Sequence, residues 1–242
     1  MKKKIIAFAL VACLAMIAIA GASLAYFTDK DEATNIFTSG KVDITLNEVF
    51  DEETAQLLPG VDIQKDVTIS LSDDSVESYV WYTYAIPAVL DSEDAAKNIV
   101  HINHAGRNWL GYQNNEKYWA EGQTEATPED QCWIIDNKVI EQITVDGVLY
   151  NVYVVLYNGT LEAGEETTIG MTKVYCDTKV DFDNETGKYT IGGEDIDFDL
   201  NEVKIIVTAY GIQAATFESV QEAYAAYNNQ MADIPANAVD ID

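Results

Sequence analysis

From Asn35 onward the dominant pattern of the chain is alternation. Val42, Ile44 and Leu46 alternate with Asp43, Thr45 and Asn47, and Val67, Ile69 and Leu71 alternate with Thr68 and Ser70. A period of two places the apolar set on one face of an extended strand, whereas a helix would scatter the same residues around its circumference. Denser runs at 79–86 and 148–157 are rich in aromatic and β-branched residues, which suits the inner strands of a sandwich. The same reading predicts strands at 132–135, 139–145, 168–175, 179–182, 196–200 and 203–210. Asp146-Gly147 is a two-residue hairpin signal, and Asn184-Glu185-Thr186-Gly187 a longer one. Further reversals are expected at 57–60, at Asn158-Gly159 and at 161–164. About ten short strands without intervening long helices predict an all-β, antiparallel β-sandwich.

Two stretches leave this pattern. Residues 91–128 are polar, with Trp109, Tyr112, Tyr118 and Trp119 among Asn, Gly and Glu, and are expected to form a central insertion with one short helix from Ser92 or Glu93 to Ile99. From Thr216 to Asn229, Phe217, Val220, Ala223, Tyr224 and Tyr227 recur at three- and four-residue spacing, which predicts one amphipathic C-terminal helix. The sandwich is thus expected over 41–230, followed by an acidic tail at 231–242.

The first residues carry a different message. Lys2, Lys3 and Lys4 precede an apolar run from Ile5 to Ala20, and Ser23 and Ala25 are small residues two apart. That order is expected of a secretory signal peptide over 1–25, cut between Ala25 and Tyr26 by a signal peptidase, so that the chain meets a membrane only before cleavage. The competing readings are an uncleaved anchor and a lipid-modified Cys13; the small residues favour cleavage. The whole chain has 14 Lys+Arg against 41 Asp+Glu, a net charge of −27. Such a field repels phosphate backbones and anionic lipids, which excludes nucleic acid as a partner. With 48% hydrophobic residues the chain also has the apolar surface that a disordered protein lacks.

A search for chemistry finds little. Phosphate loops, dinucleotide fingerprints and nucleophile elbows are absent, so no catalytic residue is predicted and the chain is expected not to be an enzyme. His101 and His104 form H-x-x-H without the glutamate or the spacing of a zinc peptidase helix, so no metal ligand is predicted. Asp181, Asp183, Glu185 and Gly187, followed by Glu194, Asp195, Asp197 and Asp199, loosely resemble a calcium loop, but neither the glycine nor a closing glutamate falls in register. A solvated acidic hairpin is the better reading, so no cofactor is expected, with calcium as the rival. Cys132 and Cys176 are either a disulfide closing a loop of about 45 residues, worth about 3–4 kcal/mol, or two buried thiols.

The junction of leader and mature chain carries a family resemblance. Ser23-Leu24-Ala25-Tyr26-Phe27-Thr28-Asp29, then Ile36-Phe37-Thr38-Ser39-Gly40-Lys41-Val42-Asp43-Ile44, resembles the TasA/camelysin family, whose members leave Gram-positive cells through the signal peptidase SipW. Leu58-Pro59-Gly60 before Val67-Thr68-Ile69, and Val207-Thr208-Ala209-Tyr210-Gly211 before the terminal helix, resemble further family elements. The resemblance implies a jelly-roll-like sandwich and a secreted structural protein of the cell surface or biofilm matrix that forms fibres with itself or with other matrix proteins. It also implies that residues 26–40 act as a donor segment, with Phe27, Ile36 and Phe37 as its buried side chains. Camelysins carry a metalloprotease assignment, which the absence of a zinc motif does not support here. The remaining rival is a calcium- or glycan-binding module using the Trp109 and Trp119 loop.

Overall fold

The computed structural model describes residues 41–51, 55–105, 108–113, 116–119 and 127–232. The predicted leader at 1–25, Cys13, the donor segment at 26–40 with Phe27, Ile36 and Phe37, and the tail from 233 lie outside the described residues.

The alternating segments become strands. A four-stranded sheet runs β1 (Ile44–Val49), β2 (Asp62–Leu71), β10 (Met171–Cys176) and β4 (Val100–His104), antiparallel throughout. A seven-stranded sheet runs β14 (Ile206–Gln213), β3 (Ser78–Pro87), β9 (Val148–Leu161), β7 (Trp133–Ile135), β5 (Trp109–Gln113) and β6 (Glu116–Trp119), with β8 (Glu141–Val145) also paired to β9. Its pairs are antiparallel except β5 with β7. A small sheet of β11 (Val180–Asp183), β12 (Lys188–Ile191) and β13 (Glu194–Asp195) completes the strands. The result is an all-β sandwich with open sheets.

Period two now explains the layers. Val67, Ile69 and Leu71 of β2 meet Val80, Tyr82, Tyr84 and Ile86 of β3, with Trp133, Val155 and Met171 between them. The alternate residues of the seven-stranded sheet, including Tyr79, Trp81, Ile134 and Leu156, form a second core on its other face. That face is covered by α1 (Val220–Ala232), which supplies Val220, Ala223, Tyr224 and Tyr227. Trp81 is gripped by Tyr210, Tyr224 and Tyr227 at ring separations of 5.9, 5.6 and 5.2 Å. The dense aromatic and β-branched run at 79–86 therefore reflects a strand buried on both faces, by a sheet on one side and a helix on the other.

Several expectations are corrected. Within the stretch expected as a central insertion, β4 joins one sheet and β5 and β6 the other, so its described strands extend both sheets. The helix expected from Ser92 or Glu93 to Ile99 is a single turn. Ser92 Oγ accepts from the Asp94 amide, Asp94 Oδ1 accepts from the Ala96 amide, and the Ile99 amide bonds to the carbonyl of Leu90. Side-chain acceptors thus draw the backbone donors away from a helical ladder. Asn158-Gly159 does not reverse the chain; β9 runs through it, and Gly159 is needed because a Cβ there would lie 2.1 Å from the Asp130 carbonyl oxygen. Residues 196–200 form no strand. The terminal helix begins at Val220 rather than Thr216, because Ser219 Oγ accepts from the Glu222 amide and Glu222 reaches back to the Glu218 amide, a variant of the capping box.

Candidate binding cleft

Beyond the outer edge of β4 the two sheets part and leave a cleft of about 930 Å³. Its apolar wall comes from Ile86 on β3, Val100 and Ile102 on β4, and Val139. Its polar wall is built by sheet register. Tyr84 of β3 pairs with Tyr153 of β9, so the two rings stack at 5.0 Å with planes 13° apart. Two residues back along β9, Asn151 lies on the same side of the strand. Both side chains point at Asp91, which ends the turn after β3. The Tyr153 hydroxyl donates to Asp91 Oδ2 at 2.7 Å and Asn151 Nδ2 donates to the same oxygen at 2.9 Å. Gln142 Nε2 in turn donates to Asn151 Oδ1 at 2.8 Å. Burial, together with the hydrogen bond to Asp91, pushes the Tyr153 phenol well above its ordinary value, so it remains a donor.

The histidines occupy opposite faces of β4. Three residues apart on a strand, they cannot converge as the same spacing on a helix would. His101 faces outward, stacks on Tyr175 at 4.9 Å and bonds Asp177 Oδ2 at 2.9 Å. His104 faces inward toward Tyr84 and Trp109. Its residue retains some exposed surface, but Nδ1 is buried and makes no hydrogen bond among the described residues. Burial lowers its pKa to about 4, offset in part by an interaction with the Gly170 backbone.

No group of three or more His, Cys, Asp or Glu side chains among the described residues is placed to hold a metal ion. The acids of the β11–β12 hairpin have other work. Asp183 accepts from the Glu185 amide and the Thr186 hydroxyl at 2.8 Å each, and Asp195 pairs with Lys188 at 2.8 Å. Cys132 and Cys176 are not bridged. Both are buried thiols, Cys132 in the helix-covered core and Cys176 in the core between the sheets, so the seven-stranded sheet separates them. Burial and nearby Asp177 push the Cys176 thiol up to about 11, which leaves it protonated and unreactive. The predicted cleavage residues Ala25 and Tyr26 lie outside the described residues.

Sequence reasoning missed the cleft. Its polar residues are spread over Tyr84, Asp91, Gln142, Asn151 and Tyr153, and only strand pairing brings them together. The one local sign is an acid, Asp91, closing an apolar run.

Compared with known proteins, the chain matches the family model described as camelysin metallo-endopeptidase over residues 1–81. No curated protein and no solved structure matches it significantly. The zinc that the family's name implies finds no fitting donor set here, since the two histidines diverge across β4 and His101 has Asp177 alone beside it, so no three donors converge among the described residues. The match covers the leader junction and the first two strands, about a third of the chain, and supports the TasA/camelysin resemblance there; it does not extend to the second stretch that carried it, at 207–211.

Proposed function

We propose that the chain is a secreted structural protein of the cell surface or biofilm matrix that assembles with copies of itself. The supporting observation is that the four-stranded sheet ends in β1 and β4, each hydrogen-bonded to one neighbour only among the described residues. An open edge offers a row of backbone donors and acceptors to an incoming strand, and backbone pairing supplies affinity while alternate side chains supply fit. Residues 26–40 lie immediately before β1 and carry Phe27, Ile36 and Phe37, the apolar side chains such a donor needs. In this reading cleavage by SipW after Ala25 frees the donor segment, and the protein acts outside the cell of a Gram-positive bacterium as a subunit rather than an enzyme.

The test is electron microscopy of purified chain beginning at Tyr26, beside a chain beginning at Gly40. Concentration-dependent filaments from the first and none from the second are the expected result. Filaments of equal yield from both would move assembly to another surface, and a strictly monomeric longer chain would remove the reading altogether.

A further inference from the structure

The cleft beside β4 has a composition that strand addition does not explain. Three of its side chains give their donors in one direction. Gln142 gives to Asn151, and Asn151 gives to Asp91, both to its carboxylate at 2.9 Å and to its carbonyl at 3.3 Å. Tyr153 gives its proton to the same carboxylate. A chain of donors ending on one acceptor stabilises the negative charge there and orients it. Yet no Lys, Arg or His among the described residues pairs with Asp91, although it is half-buried. Lys138, which lines the cleft, is exposed and engaged with Asp136 at 3.1 Å. The Asp91 carboxyl is thus held by neutral hydrogen-bond donors alone among the described residues.

The Asp91 carboxylate is the one ordered acid of the cleft with a free oxygen among the described residues. Asp91 Oδ1 has no partner among the described residues, and Glu93 and the His104 ring line the same cleft. Aromatic surface from Tyr84 and Tyr153 adjoins them. A ligand that satisfies this wall must bring donors and positive charge. An ammonium has three donors and no acceptor, and ring faces attract it. A divalent metal fits poorly, because calcium needs six to eight oxygens and only Asp91 is held in place as a carboxylate. A neutral sugar would leave the Asp91 carboxylate without a counter-ion. The net charge of −27 adds a long-range pull on any cation.

We propose that the cleft beside β4 binds an alkylammonium group, carried by a small polyamine or by a lysine side chain of another protein, with the Asp91 carboxylate as its counter-ion. Tyr153 and Asn151 act as positioning residues that aim the carboxylate. The inference is independent of strand donation.

Titration calorimetry with spermidine, Nα-acetyl-lysine amide and a neutral disaccharide tests it on the chain beginning at Tyr26. At least one amine is expected to bind, about tenfold or more weaker in Asp91→Asn and unchanged in Asp197→Asn, an exposed acid outside the cleft. Spermidine alone binding would name a free polyamine, and the lysine amide alone a protein partner. Where Asp91→Asn does not fold, Tyr153→Phe is the substitute, with the same weakening expected. NMR of the unmutated chain supplies a second reading, since the amine should shift the His104 ring signals. The proposal is overturned by no amine binding at millimolar concentration, by equal binding in the Asp91 variant, by an unmoved His104, or by a disaccharide that binds as well as the amines.

Discussion

Gly159 and Gly187 show how differently two glycines can matter. At Gly159 an added methyl would meet the backbone oxygen of Asp130 at 2.1 Å, and backbone cannot rotate out of the way. Gly187 has φ of +71° and open space around it, so only the left-handed conformation resists a side chain. Gly159→Ala is expected to cost about 3 kcal/mol and Gly187→Ala about 1 kcal/mol, read from urea unfolding midpoints. Equal losses would mean that Asp130 yields. His104 supplies the second residue-scale prediction. Its pKa in the folded chain is lowered from 6.5 to about 4, so between these values the unfolded chain binds more protons. The stability of the neutral, enclosed imidazole is therefore full above 6.5 and is lost as pH falls toward 4, on the order of 3 kcal/mol in all. Unfolding free energies measured from pH 4 to 7 should rise less steeply in His104→Gln than in the parent. Parallel curves would show that carboxylates, not this imidazole, set the slope.

Among the elements, α1 is the one whose removal separates the two cores. Its Tyr224 and Tyr227 meet Trp81 edge-on, while the core between the sheets lies on the other side of β3. Replacing both tyrosines by alanine should destabilise the protein by about 3 kcal/mol and shift Trp81 fluorescence to longer wavelength. Far-ultraviolet circular dichroism should keep its β signal; a chain that lost it would mean that the sandwich depends on the helix. The elements also show what a sequence can disclose. Alternation at 42–46 and 67–71 and the turn at Asp146-Gly147 read directly, and Asp146 and Gly147 have φ of +52° and +83°, as a tight hairpin requires. Ile196, Phe198 and Leu200 alternate as well, and all three pack on the core, yet no strand forms there. Period two reports where side chains point; a strand further needs a neighbour to bond with, and that is decided far away in the chain. Val100, Ile102 and His104 alternate too, but within a polar stretch, where an edge strand with one buried face looks like loop. The cleft was illegible for the same reason: Asp91 meets Tyr153 only through the pairing of β3 with β9.

At the scale of the whole molecule, charge governs how copies approach one another. Copies of the chain carry a net charge of −27, which the proposed cleavage would make more negative by removing Lys2, Lys3 and Lys4, and they repel each other over a screening length of about 10 Å in 0.1 M salt. Proposed strand donation must overcome that repulsion by burying side chains such as Phe27 and Phe37. Assembly followed by light scattering should therefore accelerate as sodium chloride is raised, and as pH falls toward the isoelectric point near 4.1. Assembly that slows with salt would point to ion pairs between subunits instead. The position of β3 in its sheet has a consequence in time rather than space. Its partners are β9 and β14, so a ribosome or translocon that releases the chain N-terminus first exposes Ser78–Pro87 long before Val148–Leu161 exists to pair with it. Through that interval a ten-residue strand that is buried along nearly its whole length in the folded protein is an unprotected, sticky ribbon, and closing it is a slow, long-range event. Productive folding of this chain therefore depends on whatever holds residues 78–87 apart from other chains until the second half arrives.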